Sequence, residues 1–78
     1  MNIEIYSKDL CPYCDMAIHK VEMMMEENIE IKAAVYKLGE DFGREEMMAK
    51  FPSARSFPQI VIDDQNIGGW LEFQKKFK

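Results

Sequence analysis

The chain has 78 residues, 47% of them hydrophobic and 31% charged, which suits one small globular domain over residues 1–78 and leaves no room for a second. A formal net charge of −4 argues against a nucleic-acid binder, which needs a basic stripe to displace counterions from phosphates. Lys75, Lys76 and Lys78 are the only basic cluster, and a terminal group of lysines reads as a solvated face. No apolar run approaches the ~20 residues of a membrane helix. Met1 to Leu10 holds Glu4 and Asp9 in place of a signal-peptide core, so no membrane association and a cytoplasmic location are expected.

In chain order, Ile3 and Ile5 flank Glu4, an alternation that predicts a strand over 2–6. A loop, Ser7 to Leu10, then delivers Cys11, and Pro12 suits the first turn of a helix, where its missing N–H is not needed. Cys14, Ala17, Ile18, Val21, Met24 and Met25 follow the 3,4 spacing of one helical face up to about Glu27. Asn28 ends that helix, and 29–38 reads as a second strand with Val35 and Tyr36 as β-favouring residues. After a loop over 39–43, in which Asp41 is a reasonable N-cap, a short helix over 44–50 turns Met47, Met48 and Phe51 inward. Pro52-Ser53 stops it.

A third strand runs over 57–62, entered through Pro58. Asp63-Asp64 turns it back into a fourth over 65–67. Gly68-Gly69 breaks the sheet, and Trp70, Phe73 and Phe77 mark the inward face of a last helix. The order is β-α-β-α-β-β-α. A right-handed crossover makes the first two strands parallel, the hairpin adds antiparallel strands, and helices must cover both faces of a four-stranded mixed α/β sheet.

The cysteines are Cys11 and Cys14. A pair three apart closes almost no loop and adds little as a staple, so reactivity explains it better. A Cys-x-x-Cys between a first strand and a first helix, inside a βαβ pattern, is a redox signature. The helix N-terminus favours an anion through its free N–H groups and macrodipole. That depresses the thiol pKa of Cys11 below the value of free cysteine. Lys8 adds to this and Asp15 acts weakly against it. Cys14, deeper in the helix, is the resolving thiol. A zinc half-site is the other use of such a pair, but tetrahedral zinc wants four ligands, and the single histidine, His19, has no second cluster to join. The methionines Met23, Met24, Met25, Met47 and Met48 read as core filling rather than a copper site.

Four landmarks, in order, resemble the glutaredoxins: Cys11-Pro12-Tyr13-Cys14, the Arg44-Glu45-Glu46-Met47 helix opening, Phe57-Pro58-Gln59-Ile60, and Ile67-Gly68-Gly69. The resemblance covers essentially the whole chain and implies a thioredoxin-like fold. It makes Cys11 and Cys14 the catalytic pair and glutathione the reducing co-substrate, with no bound cofactor or metal. Pro58 matches the family's cis-proline, leaving no N–H to compete with substrate. The backbone of Phe57 would pair, strand-like, with the cysteinyl unit of glutathione, although the family more often has valine there. Lys8 matches a lysine that binds the glycyl carboxylate, with Arg44 and Arg55 as further cations on the rim. Tyr13 flanks the glutathione. The double glycine lets backbone approach ligand, and Gly69, Trp70 and Leu71 open a helix whose N–H groups face the γ-glutamyl carboxylate. At the Leu71 position the family typically places Asp, Ser or Thr, and Glu72 can substitute by reaching back.

The reaction implied is reduction of glutathione mixed disulfides and protein disulfides by a monomer. Its clients are disulfide-bearing or glutathionylated proteins, with ribonucleotide reductase among the family's acceptors. Two other readings share the fold: a redoxin fed by thioredoxin reductase, and a carrier bridging a 2Fe–2S cluster between two Cys11 thiolates and two glutathiones. Pro12 speaks against the carrier, because cluster-holding glutaredoxins generally lack proline after the first cysteine. A redox-inert interaction domain is a further reading, disfavoured while both cysteines are intact.

Overall fold

Alternation in the central strands builds two cores, one on each side of a single sheet. The computed structural model describes residues 1–54 and 56–77, so the readings of Arg55 and Lys78 fall outside the described residues. Its elements are β1 (Asn2–Ser7), α1 (Pro12–Glu27), β2 (Lys32–Lys37), α2 (Arg44–Lys50), β3 (Gln59–Ile62), β4 (Gln65–Gly68) and α3 (Trp70–Lys76). The sheet order is β2-β1-β3-β4. β1 runs parallel to β2 and antiparallel to β3, and β3 and β4 form an antiparallel hairpin. The mixed four-stranded sheet and the element order are those the sequence predicts.

Ile3 and Ile5 of β1, with Ile60 and Ile62 of β3, face one side and pack with Ala17 and Val21 of α1 and Phe73 of α3. Tyr6 and Val61 face the other side, against Phe42 and Phe51, with Met47 of α2 packed partly buried upon them. Thus α1 and α3 cover one face and α2 the other. Fully burying each isoleucine contributes roughly 1.5–3 kcal/mol relative to exposure. On the α2 side the Tyr6 ring lies 5.3 Å from Phe42 and 5.0 Å from Phe51, both edge-on. The Tyr6 hydroxyl donates to Glu4 at 2.7 Å.

The hairpin register is locked by its turn. Asp63 and Asp64 both adopt left-handed backbone, the twist that a two-residue hairpin requires and that aspartate tolerates. The Asp63 carboxylate accepts from the Asn2 N–H at 2.8 Å. A bulge follows, with Ile60 opposite Gly68 but Val61 opposite Asn66. The extra residue, Ile67, packs partly buried against the first core.

Several boundaries differ from the sequence reading, each for an identifiable reason. Asp41 is not the N-cap of α2. Its carboxylate accepts from the Lys37 N–H at 2.9 Å, and Gly43 takes the cap position. Residues 29–31 are not strand: Asn28 caps a turn by accepting the Glu30 N–H, and pairing with β1 starts at Lys32 opposite Asn2. Phe57 and Pro58 precede β3, whose pairing begins at Gln59 opposite Tyr6. Met48 points to solvent while Met47 packs inward. Among the described residues, no helix is long and apolar enough to cross a membrane.

Candidate active site

Cys11 is the N-cap of α1, in extended backbone, with Pro12 as the first helical residue. The Cys14 N–H donates to the Cys11 sulfur at 3.2 Å. The start of a helix therefore aims a backbone donor at this sulfur, the geometry that favours an anion there. The two sulfurs are bonded to each other, with the Cα atoms 5.2 Å apart. Cys11 is 7% exposed and Cys14 only 1%, so an incoming sulfur meets Cys11 first.

The loop that presents Cys11 is tied to the sheet by an ion pair. Asp9 pairs with Lys37 at the end of β2. Leu10 is left-handed, with φ of 54°, a conformation that costs a leucine about 1–2 kcal/mol. The residue is 98% exposed, so burial of its side chain does not repay that cost.

Beside the disulfide runs a groove of about 360 Å³ lined by Tyr13, Ser56, Phe57, Gly69, Trp70, Leu71 and Glu72. It brings together six residues singled out by the sequence: Tyr13, Phe57, Gly69, Trp70, Leu71 and Glu72. The Phe57–Pro58 bond is cis, and Pro58 is buried. Lys8 reaches the same place through Phe57, its ammonium 5.5 Å from the ring centre. Arg44, exposed at the start of α2, is not among the groove-lining residues. Ser56 is an addition that sequence reasoning missed; a single serine beside an arginine carries no signal.

The double glycine has a steric reason at each position. Gly68 has φ of 111°, and a Cβ there would stand 2.7 Å from Oε1 of Glu72. A Cβ on Gly69 would come within 3.3 Å of the Pro58 carbonyl oxygen. Glu72 does reach back: its carboxylate accepts from the Gly69 N–H at 2.7 Å, half of a capping box whose N-cap glycine has no side chain to reciprocate. The same device, Gly43 with Glu46, starts α2 at 3.1 Å.

The glutaredoxin family model matches residues 3–67. The chain belongs to the glutaredoxin family. It is 39% identical over 67 residues to a probable glutaredoxin, ssr2061, of Synechocystis, covering 86% of this chain and 72% of that one. It is 32% identical to glutaredoxin 3 of Escherichia coli K12, covering 87% and 76%. Among solved structures it is similar to reduced Escherichia coli glutaredoxin, with a TM-score of 0.84 and 27% identity over 97% of this chain and 92% of that one. The oxidised form of that protein gives 0.81. As a glutaredoxin, the chain has thiol–disulfide oxidoreduction as its kind of function, and its Cys11–Cys14 pair fits the family's Cys-x-x-Cys site.

Proposed function

We propose that this glutaredoxin reduces glutathione mixed disulfides and protein disulfides with glutathione as reductant, in the cytoplasm, with Cys11 as nucleophile. The observation that supports it most is the Cys14 N–H directed at the Cys11 sulfur, beside a groove lined by Gly69 and by Phe57, the residue before the cis-proline. In the reduced protein the Cys11 thiolate attacks the glutathione sulfur of a client mixed disulfide. The client–glutathione S–S bond breaks, the client leaves as a thiolate that takes up a proton, and Cys11 carries the glutathione. A second glutathione thiolate then attacks that glutathione sulfur, releasing oxidised glutathione and restoring the Cys11 thiolate.

With a protein disulfide, ribonucleotide reductase included among the clients, Cys11 forms a mixed disulfide with one client sulfur. Cys14 loses its proton and displaces the client, closing the Cys11–Cys14 bond seen here. Two glutathiones reopen it. Lys8 pairs with the glycyl carboxylate, the Phe57 backbone with the cysteinyl unit, and the first turn of α3 with the γ-glutamyl end, flanked by Tyr13.

The test is a pair of cysteine variants. Cys11→Ser abolishes reduction of a small glutathione mixed disulfide, whereas Cys14→Ser spares it and loses protein-disulfide reduction. Equal loss in both would refute the single-thiol step. A redoxin fed by thioredoxin reductase is favoured by one observation, that Glu72 already occupies the Gly69 N–H. Supplying each reductant separately decides between the two: reduction by thioredoxin reductase with none by glutathione would replace the first reading.

A further inference from the structure

We propose that the surface leading from the disulfide along α1 and α3 is a docking track for an extended client segment with one apolar residue and one acidic residue. The acidic residue lies about four residues from the client's reactive cysteine. This rests on the reading of Cys11 as the nucleophile and says which proteins that nucleophile prefers.

Three observations carry it. First, large apolar side chains near Cys11 in the chain are exposed: Leu10, in its costly left-handed conformation, then Tyr13 and Met16, with Leu71, at 63% exposure, lining the same groove as Tyr13. Monomers rarely leave such a set in water without a use for it. Second, Leu71 belongs to two adjoining depressions. One is the groove with Tyr13 and Phe57; the other is a notch of about 290 Å³ between α1 and α3, lined by Lys20, Leu71, Gln74 and Lys75. Leucine here joins the two with an apolar surface.

Third, the notch is basic in a chain whose net charge is −4. Among the described residues neither Lys20 nor Lys75 pairs with a carboxylate. Tyr13, Met16 and Lys20 follow 3,4 spacing along one side of α1, so the path from disulfide to notch runs along the helix. Lys20 lies nine positions along the helix from Cys11, ~14 Å at 1.5 Å per residue, which about four residues of extended peptide span.

The test uses the full chain and short peptides carrying a leucine and an intramolecular disulfide, which occupy the groove before glutathione enters it, with glutamate or lysine four residues before the first or after the second cysteine. At low salt, at one of the two positions, the glutamate peptide is reduced roughly three- to ten-fold faster in kcat/KM than its lysine twin, the scale of a rim charge effect. The sign is informative, because the overall negative field of the chain alone favours the lysine peptide. The Lys20→Glu/Lys75→Glu variant reverses the order while reducing a small glutathione mixed disulfide at the native rate. Equal rates at both positions, or a preference that survives the charge reversal, overturns the docking track. Failure of the native chain on the small disulfide would instead sink the oxidoreductase reading itself.

Discussion

The ammonium of Lys8 stands over the ring of Phe57, 5.5 Å from its centre, so a cation of the loop before Cys11 is held against the residue that precedes the cis-proline. An exposed cation–π contact contributes about 0.5–1 kcal/mol. If that contact positions Lys8 for the glycyl carboxylate, Phe57→Val raises the KM for glutathione roughly two- to five-fold, with kcat unchanged. The same substitution has no further effect in a Lys8→Ala background. A double-mutant cycle on KM measures this. A fall in KM would mean instead that the ring obstructs the groove.

The Glu72 carboxylate serves the backbone of α3. Removing it by Glu72→Ala frees the Gly69 N–H and lowers stability by about 0.5–2 kcal/mol, the range for a lost N-cap interaction. Gly68→Ala is costlier, because it combines a left-handed backbone with a Cβ only 2.7 Å from Glu72. In the double variant that collision disappears, so the two losses sum to less than their separate values. Urea denaturation of the three variants gives the comparison.

Leu10→Gly removes a strained backbone position. Relief of about 1–2 kcal/mol outweighs the roughly 0.5–1 kcal/mol that glycine loses through the flexibility of the unfolded chain. Thermal unfolding is expected to shift upward by a few degrees. A downward shift would show that the exposed leucine supports the fold.

Alkaline pH should unfold the protein partly through Tyr6. Burial, above all, pushes its phenol above the ordinary tyrosine value; the nearby Lys50 ammonium opposes this and the hydrogen bond with Glu4 adds to it. Lys50 is raised as well, chiefly by its contact with Tyr6. A group whose pKa is raised on folding contributes its stability below the unfolded pKa and loses it as pH climbs through the folded one. Both groups therefore act in the same direction. Tyr6→Phe keeps the ring and flattens the alkaline limb of the stability curve. An unchanged limb, measured by urea titration across that range, would assign the loss to other groups.

The sequence was most legible where one local pattern decided the outcome. Ile3 and Ile5 alternate, Pro12 and the cysteines mark a helix start, and Trp70, Phe73 and Phe77 mark one helical side. It was least legible where two local choices competed. Asp41 is a good cap by type, yet the Lys37 N–H claims its carboxylate. Ile29 favours a strand by propensity, yet the parallel register opens β2 three residues later, at Lys32. At the site, the cysteine pair and most of the groove were readable through family landmarks. The contact of Lys8 with Phe57 and the place of Ser56 were not, because they depend on how distant loops meet.

The groove draws on three separated stretches: Tyr13 just after β1, Ser56 and Phe57 before β3, and 69–72 after β4. They meet only because β1 pairs with β3 and β3 with β4. The stretch 56–72 carries six of the seven lining residues, but only the β1–β3 pairing brings it to Tyr13 and the cysteines, so fraying of the β3–β4 side takes the groove apart. Residual turnover on heating thus acts as an internal thermometer for the pairing of β1, β3 and β4.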